Sequence, residues 1–149
     1  MKFRISMFLL TLALAASSTL TAHASACSNA TIKGTYAFTI HGQVFLPEGG
    51  GTLLIDGLAK TTFDGAGNIR QLDAVATNGN VAPGWRLSTG SYSVNANCTG
   101  TFNVTNGEQP LIHVQFIIAH YGDHIHAVVV DPGFATTSEG ERLLTPKEQ

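Results

Sequence analysis

The chain predicts an all-β fold: a small antiparallel up-and-down barrel of about eight strands, with a β-sandwich as the alternative. Three observations carry that expectation. Apolar and polar residues alternate through most of the chain, the period of a strand with one buried face. The alternating segments are short and recur between corners rich in Gly, Asn and Asp. No stretch beyond the N-terminal leader reads as a helix of ordinary length. Sequential hairpins favour a meander, and closing it into a barrel removes exposed sheet edges.

The chain opens with Lys2 and Arg4, then an uncharged apolar run over 5–20, then Ala22-His23-Ala24 and Ala24-Ser25-Ala26. Charge, apolar run and small-residue site together make residues 1–26 a secretory signal peptide, with cleavage after Ala24 or after Ala26 both open. The run falls short of the ~20 apolar residues of a spanning helix. Cleavage after Ala26 would place Cys27 first, as in a lipoprotein. Ala24 stands where such chains usually carry leucine, and Cys98 would then lack a partner. The expected location is secreted or periplasmic.

A single domain is expected over 27–138. Its first strand, 34–41, puts Tyr36, Phe38 and Ile40 on one face. The turn at 46–51 leads to a strand over 52–63 with a bulge expected at Asp56-Gly57. Asp64-Gly65-Ala66-Gly67-Asn68 is a tight corner in which glycines supply positive φ and Asp64 bonds the turn backbone. A strand over 69–77 and a turn at 78–80 follow. The segments 85–94 and 99–104 flank Asn95-Ala96-Asn97-Cys98 as a hairpin, with Tyr92 and Val94 matched by Phe102 and Val104. A turn at 106–110 precedes a strand over 111–118. A second turn at 121–123 precedes 124–130, and Asp131-Pro132-Gly133 leads to a short segment at 134–137. Residues 139–149 read as a polar, frayed tail.

Removing the leader leaves about 125 residues, enough for one core. Six basic residues then face ten acidic ones, without any basic cluster. The electrostatic footprint of a nucleic-acid binder is missing, and no second apolar run suggests a membrane span after cleavage. Two cysteines in an exported chain suggest one disulfide, Cys27–Cys98. Its long loop would make it worth roughly 4 kcal/mol in the chain-entropy model. With no C-x-x-C present, its role is structural.

The stretches CSNATIKGTYAF (27–38), TFDGAGNI (62–69) and TGSYSVNANCTGTF (89–102) carry a resemblance. The chain resembles a set of exported bacterial proteins of unassigned function with a CSNAT-KGTY start, an FDG-x-G-N corner and a TGxYxVNxxCTG hairpin. The resemblance implies a secreted barrel-like domain with its two cysteines paired, and it brings no catalytic residue. A looser likeness to lipocalin-type and allene-oxide-cyclase-type barrels rests on architecture, which does not fix function.

Most aromatic residues alternate as core residues do. In a wide enough barrel, Tyr36, Phe38, Trp85, Tyr92, Phe102 and Phe116 would line a cavity for a small apolar ligand. His120, His124 and His126 are the candidate metal ligands, with Asp123 as a ligand or outer acceptor. Residues 124 and 126 share a strand face, and converging neutral imidazoles are what zinc requires. The competing reading is a set of partly exposed histidines around a corner. His41 and His113 are expected on the solvent face. The 64–68 corner lacks the oxygen ligands of a calcium loop, having Ala66 at its third position. Gly49-Gly50-Gly51-Thr52 lacks a phosphate-binding Gly-Lys-Ser/Thr, and Ser91 is in no G-x-S-x-G.

Three functions follow, in order of preference. The first is an exported module holding a small apolar molecule. The second is an enzyme, either zinc-assisted through the three histidines or an isomerase-type barrel. The third is a cell-surface interaction domain acting through exposed loops such as 46–51. Without a catalytic motif the balance falls against an enzyme, and no cofactor other than zinc is suggested.

Overall fold

In the computed structural model, residues 26–107 and 111–144 are described. Residues 1–25, which hold most of the expected signal peptide, the corner at Glu108 to Pro110, and residues 145–149 lie outside them. The strands are β1 (Gly34–Phe45), β2 (Thr52–Phe63), β3 (Asn68–Thr77), β4 (Asn80–Val81), β5 (Arg86–Val94), β6 (Thr99–Thr105), β7 (Ile112–Ala119), β8 (His124–Val129) and β9 (Phe134–Arg142). All pairings are antiparallel, in the order β2-β1-β9-β8-β7-β6-β5-β3. Pairing of β2 with β3 closes the ring, so the fold is an eight-stranded barrel and the sandwich is excluded. The two-residue β4 extends one rim against the end of β3.

Two details depart from the sequence reading. The register runs without a break through Asp56 and Gly57 on both sides of β2, so no bulge forms there. The chain also stays in the sheet past Thr137. Glu139 to Arg142 pair with β1 on one side, and Glu139 to Glu141 with β8 on the other, so 139–142 are strand and not tail, while 145–149 of the expected tail lie outside the described residues. The charged residues concealed this: Glu139 and Glu141 point out to water while Gly140 and Arg142 face in.

The ends of the barrel differ because the sequence treats them differently. At the end where β1 starts and β9 finishes, Ile32, Tyr36, Phe63, Ile69, Tyr92, Phe116 and Ile125 form a packed core. Phe63 meets Tyr36 and Tyr92 edge-on, with ring centroids 5.5 and 5.0 Å apart. Rings of this size fit because glycine stands opposite them. A Cβ on Gly100 would lie 2.3 Å from the Phe116 ring, and one on Gly140 would lie 2.4 Å from that of Phe38.

The chain segment before β1 closes this end. Cys27 is bonded to Cys98 across a separation of 71 residues, and the Cys27 N–H donates to Ala96 O at 3.2 Å. A short 3-10 turn, Asn29–Ile32, then drives Ile32 into the core. Asn29 ties that turn to the hairpin: its Oδ1 accepts the Val94 N–H at 2.8 Å, and its carbonyl accepts the Tyr92 hydroxyl at 3.0 Å. Arg142 clasps the other side. Its guanidinium donates to the carbonyls of Lys33, Thr31 and Gly122 at 2.6, 3.0 and 2.8 Å and lies over the Tyr36 ring. The Tyr36 hydroxyl donates to Gly122 O. Burial pushes the pKa of that hydroxyl up to about 12, with the Arg142 charge pulling the other way.

Candidate functional site

Above this floor the inward side chains become smaller and the lumen opens. A cavity of about 370 Å³ occupies the end where β1 finishes and β9 starts. Phe38, Ala59 and Phe102 form its floor, and Ile40, Val44, Val75, Val104, Val114 and Val129 its apolar walls. The volume lies in the range typical of small-molecule sites, in a mostly apolar concavity with a few polar groups.

The charged pair among them, and the side chains bonded to it, lie on β3 and β5, while Thr105, Asn106, Thr136, Thr137 and Ser138 supply neutral polar groups from β6, its end and β9. Asp73 is 4% exposed. Its Oδ1 accepts from Arg86 Nε at 2.8 Å and lies 2.6 Å from Nη2. Its Oδ2 accepts from Gln71 Nε2 at 3.2 Å and, more loosely, from the Ser88 hydroxyl at 3.5 Å. Gln71 in turn accepts from the Thr61 hydroxyl at 2.9 Å. Removing a carboxylate from water is costly, and this network offsets the cost. A buried pair is weak grounds for stability, because well-packed apolar residues would often serve the fold as well. Asp73 and Arg86 are the only charged residues among the described ones lining the cavity.

Of the six aromatic residues expected at a ligand, Phe38 and Phe102 line the cavity. Tyr36, Tyr92 and Phe116 are buried below its floor and belong to the closed end. Trp85 is 61% exposed in the connection before β5, off the lumen altogether.

The histidine cluster does not assemble as a metal site. His124 and His126 do share a face, but it is the outer one, because Ile125 and Ala127 take the core side of β8. His120 and His124 approach with ring centroids 4.7 Å apart, while His126 lies one strand repeat farther on beside Glu139. Among the described residues no three His, Cys, Asp or Glu side chains are grouped to hold an ion. Asp123 is engaged by Arg142 Nε at 3.0 Å. His41 and His113 lie on the outer surface as expected, 2.9 Å from Asp56 and 2.7 Å from Asp131.

The polar wall is hard to read in the sequence, although a signal for it exists. The 64–68 corner places Phe63 directly opposite Ile69, so both face the core. Counting by two from Ile69 brings Gln71, Asp73, Val75 and Thr77 inward and turns Leu72 outward. Hydrophobicity alone suggests the reverse at Leu72 and Asp73. Only the corner's register resolves it.

Compared with protein-family models, curated proteins and solved structures, the chain finds no significant match in any of the three.

Proposed function

We propose that this protein is an exported binding module that holds a small, largely apolar molecule in the open half of its barrel. The observation that carries this reading is the division of the lumen: solid aromatic packing at one end, a cavity of about 370 Å³ with apolar walls at the other. A fold that needed only stability would fill that half too, since voids forfeit contacts. Export is supported by the leader-like 1–26 segment and by the Cys27–Cys98 bridge, which suits an oxidising compartment. Membership of the exported bacterial family that the CSNAT, FDG-x-G-N and TGxYxVNxxCTG stretches resemble belongs to the same proposal.

The test is native mass spectrometry on protein exported through its own leader, compared with Val44→Trp, which fills the cavity near its mouth. An adduct of organic mass on the parent protein, missing from the variant, is the expected result. Equal occupancy in both proteins, or a bare parent that takes up no apolar compound, would overturn the reading.

A further inference from the structure

We infer that the ligand is uncharged: a mostly apolar molecule bearing a carbonyl or hydroxyl oxygen that accepts from Arg86. This deepens the binding reading above and rests on it.

Three features of the open end point this way. Asp73 engages Arg86 through Nε and Nη2, both on the single oxygen Oδ1. A guanidinium has five N–H donors, so among the described residues this arrangement leaves Nη1 and the second Nη2 hydrogen available on a side chain that is 37% exposed. An oxygen acceptor placed there would gain a charge-assisted hydrogen bond while its apolar remainder lies along Val75, Val104, Val114 and Val129.

Charge balance then selects the head group. The Asp73 carboxylate already neutralises Arg86, so a carboxylate or phosphate on the ligand would enter apolar walls as an uncompensated charge beside another anion. A cationic head would meet Arg86 itself. The mouth does not alter this balance in favour of anions. Among the described residues, its connecting segments 46–51, 78–85 and 130–133 contain no lysine or arginine and supply the acidic residues Glu48 and Asp131. Steering of an anionic ligand into the barrel is therefore disfavoured as well.

The experiment uses N-phenyl-1-naphthylamine, a neutral apolar fluorophore, as the reporter. It is displaced at neutral pH by 2-decanone or by decanoate, two chains of the same length that differ in head-group charge. The ketone is expected to displace the reporter at a concentration at least about tenfold lower, the factor that one charge-assisted hydrogen bond supplies. Any apolar pocket disfavours an anion to some degree, so the decisive variant is Asp73→Asn. It keeps the shape and leaves Arg86 uncompensated, and the preference should then swing towards decanoate by about tenfold or more. Decanoate binding the parent protein as well as the ketone does would overturn the inference, and so would an unchanged preference in the Asp73→Asn protein. Should that variant fail to fold, the double substitution Asp73→Asn, Arg86→Met takes its place. It removes both charges and the donor together, so 2-decanone should need an about tenfold higher concentration to displace the reporter, and unchanged displacement by the ketone would overturn the inference. Reporter fluorescence that the parent does not enhance, while the Val44→Trp protein behaves identically, would instead remove the binding reading itself.

Discussion

The two ends of this barrel are built from the same strands but from different sequence. At the closed end the inward positions are aromatic or β-branched, the connecting turns are short and internally bonded, and the chain before β1 is stapled across the opening. At the open end most inward positions are Val, Ile, Thr and Ser around one ion pair, with Leu53, Gln71 and Phe134 beside them, and the connections are richer in glycine. The three stretches 27–38, 62–69 and 89–102, with their paired cysteines, turn glycines and alternating aromatic residues, all contribute to the closed end. What is most recognisable in this sequence therefore builds a stopper and specifies the fold, while ligand selection would fall to the half with the least distinctive sequence.

The sharpest way to break the comparison is to truncate one side chain at each end. Phe63 is 1% exposed and enclosed by three rings, so Phe63→Ala leaves a cavity that its neighbours cannot fill. A loss of about 5 kcal/mol is expected, the upper part of the range for such changes. Val75→Ala, on the wall of an already open lumen, should cost no more than about 1 kcal/mol, since few contacts are lost. Chemical denaturation of the two proteins gives both values. Similar losses would mean that the open half contributes to stability as the closed half does.

That contrast also explains what the sequence revealed and what it hid. Strand alternation and turn chemistry made the barrel, its corners and the Cys27–Cys98 pairing legible, because each depends on residues close in sequence or on a count of two cysteines. The cavity depends instead on which aromatic residues sit at which level of the barrel. Phe38 reaches the lumen and Tyr36, two residues earlier on the same face, does not. Trp85 lies off the lumen, contrary to expectation, because a lone aromatic at a strand start reveals nothing of its direction. His124 and His126 share one face as their spacing implies, but which face is set by Ile125 and Ala127 packing against the core.

The staple is the next element to test. With its halves 71 residues apart in sequence, the chain-entropy model gives the Cys27–Cys98 bridge roughly 4 kcal/mol. The double substitution Cys27→Ser, Cys98→Ser should lower stability by about that amount in a urea titration. It should also free the Asn29–Ile32 turn from the hairpin, raising hydrogen exchange at the Val94 amide, which donates to Asn29. The bridge lies at the closed end, away from the residues lining the cavity, so reporter binding in the lumen should persist wherever the protein remains folded. Loss of binding in step with loss of the bridge would show that the ends are coupled.

The smallest expected effect concerns the FDG-x-G-N corner, and it has a defined pH signature. Asp64 Oδ1 accepts the backbone N–H groups of Ala66, Gly67 and Asn68 at 2.7, 2.9 and 3.0 Å, and Oδ2 accepts from Asn68 Nδ2 at 2.5 Å. The Asn68 side chain first, then these backbone donors, hold the pKa of the carboxyl down to about 2 against an ordinary value of 3.8. The folded value lies below the unfolded one, so the stability linked to this group is fully present above about pH 4 and drains away as pH falls towards 2. Asp64→Asn keeps an acceptor oxygen but no titrating charge. Its melting temperature should lie slightly below that of the parent at neutral pH and converge with it on acidification, because the parent alone loses this contribution. A constant gap from about pH 6 down to about pH 2 would show that the corner depends on the shape of residue 64 and not on its charge. The closed end would then be held by its core and its staple, with its most recognisable turn serving only to set the register that brings Asp73 into the lumen.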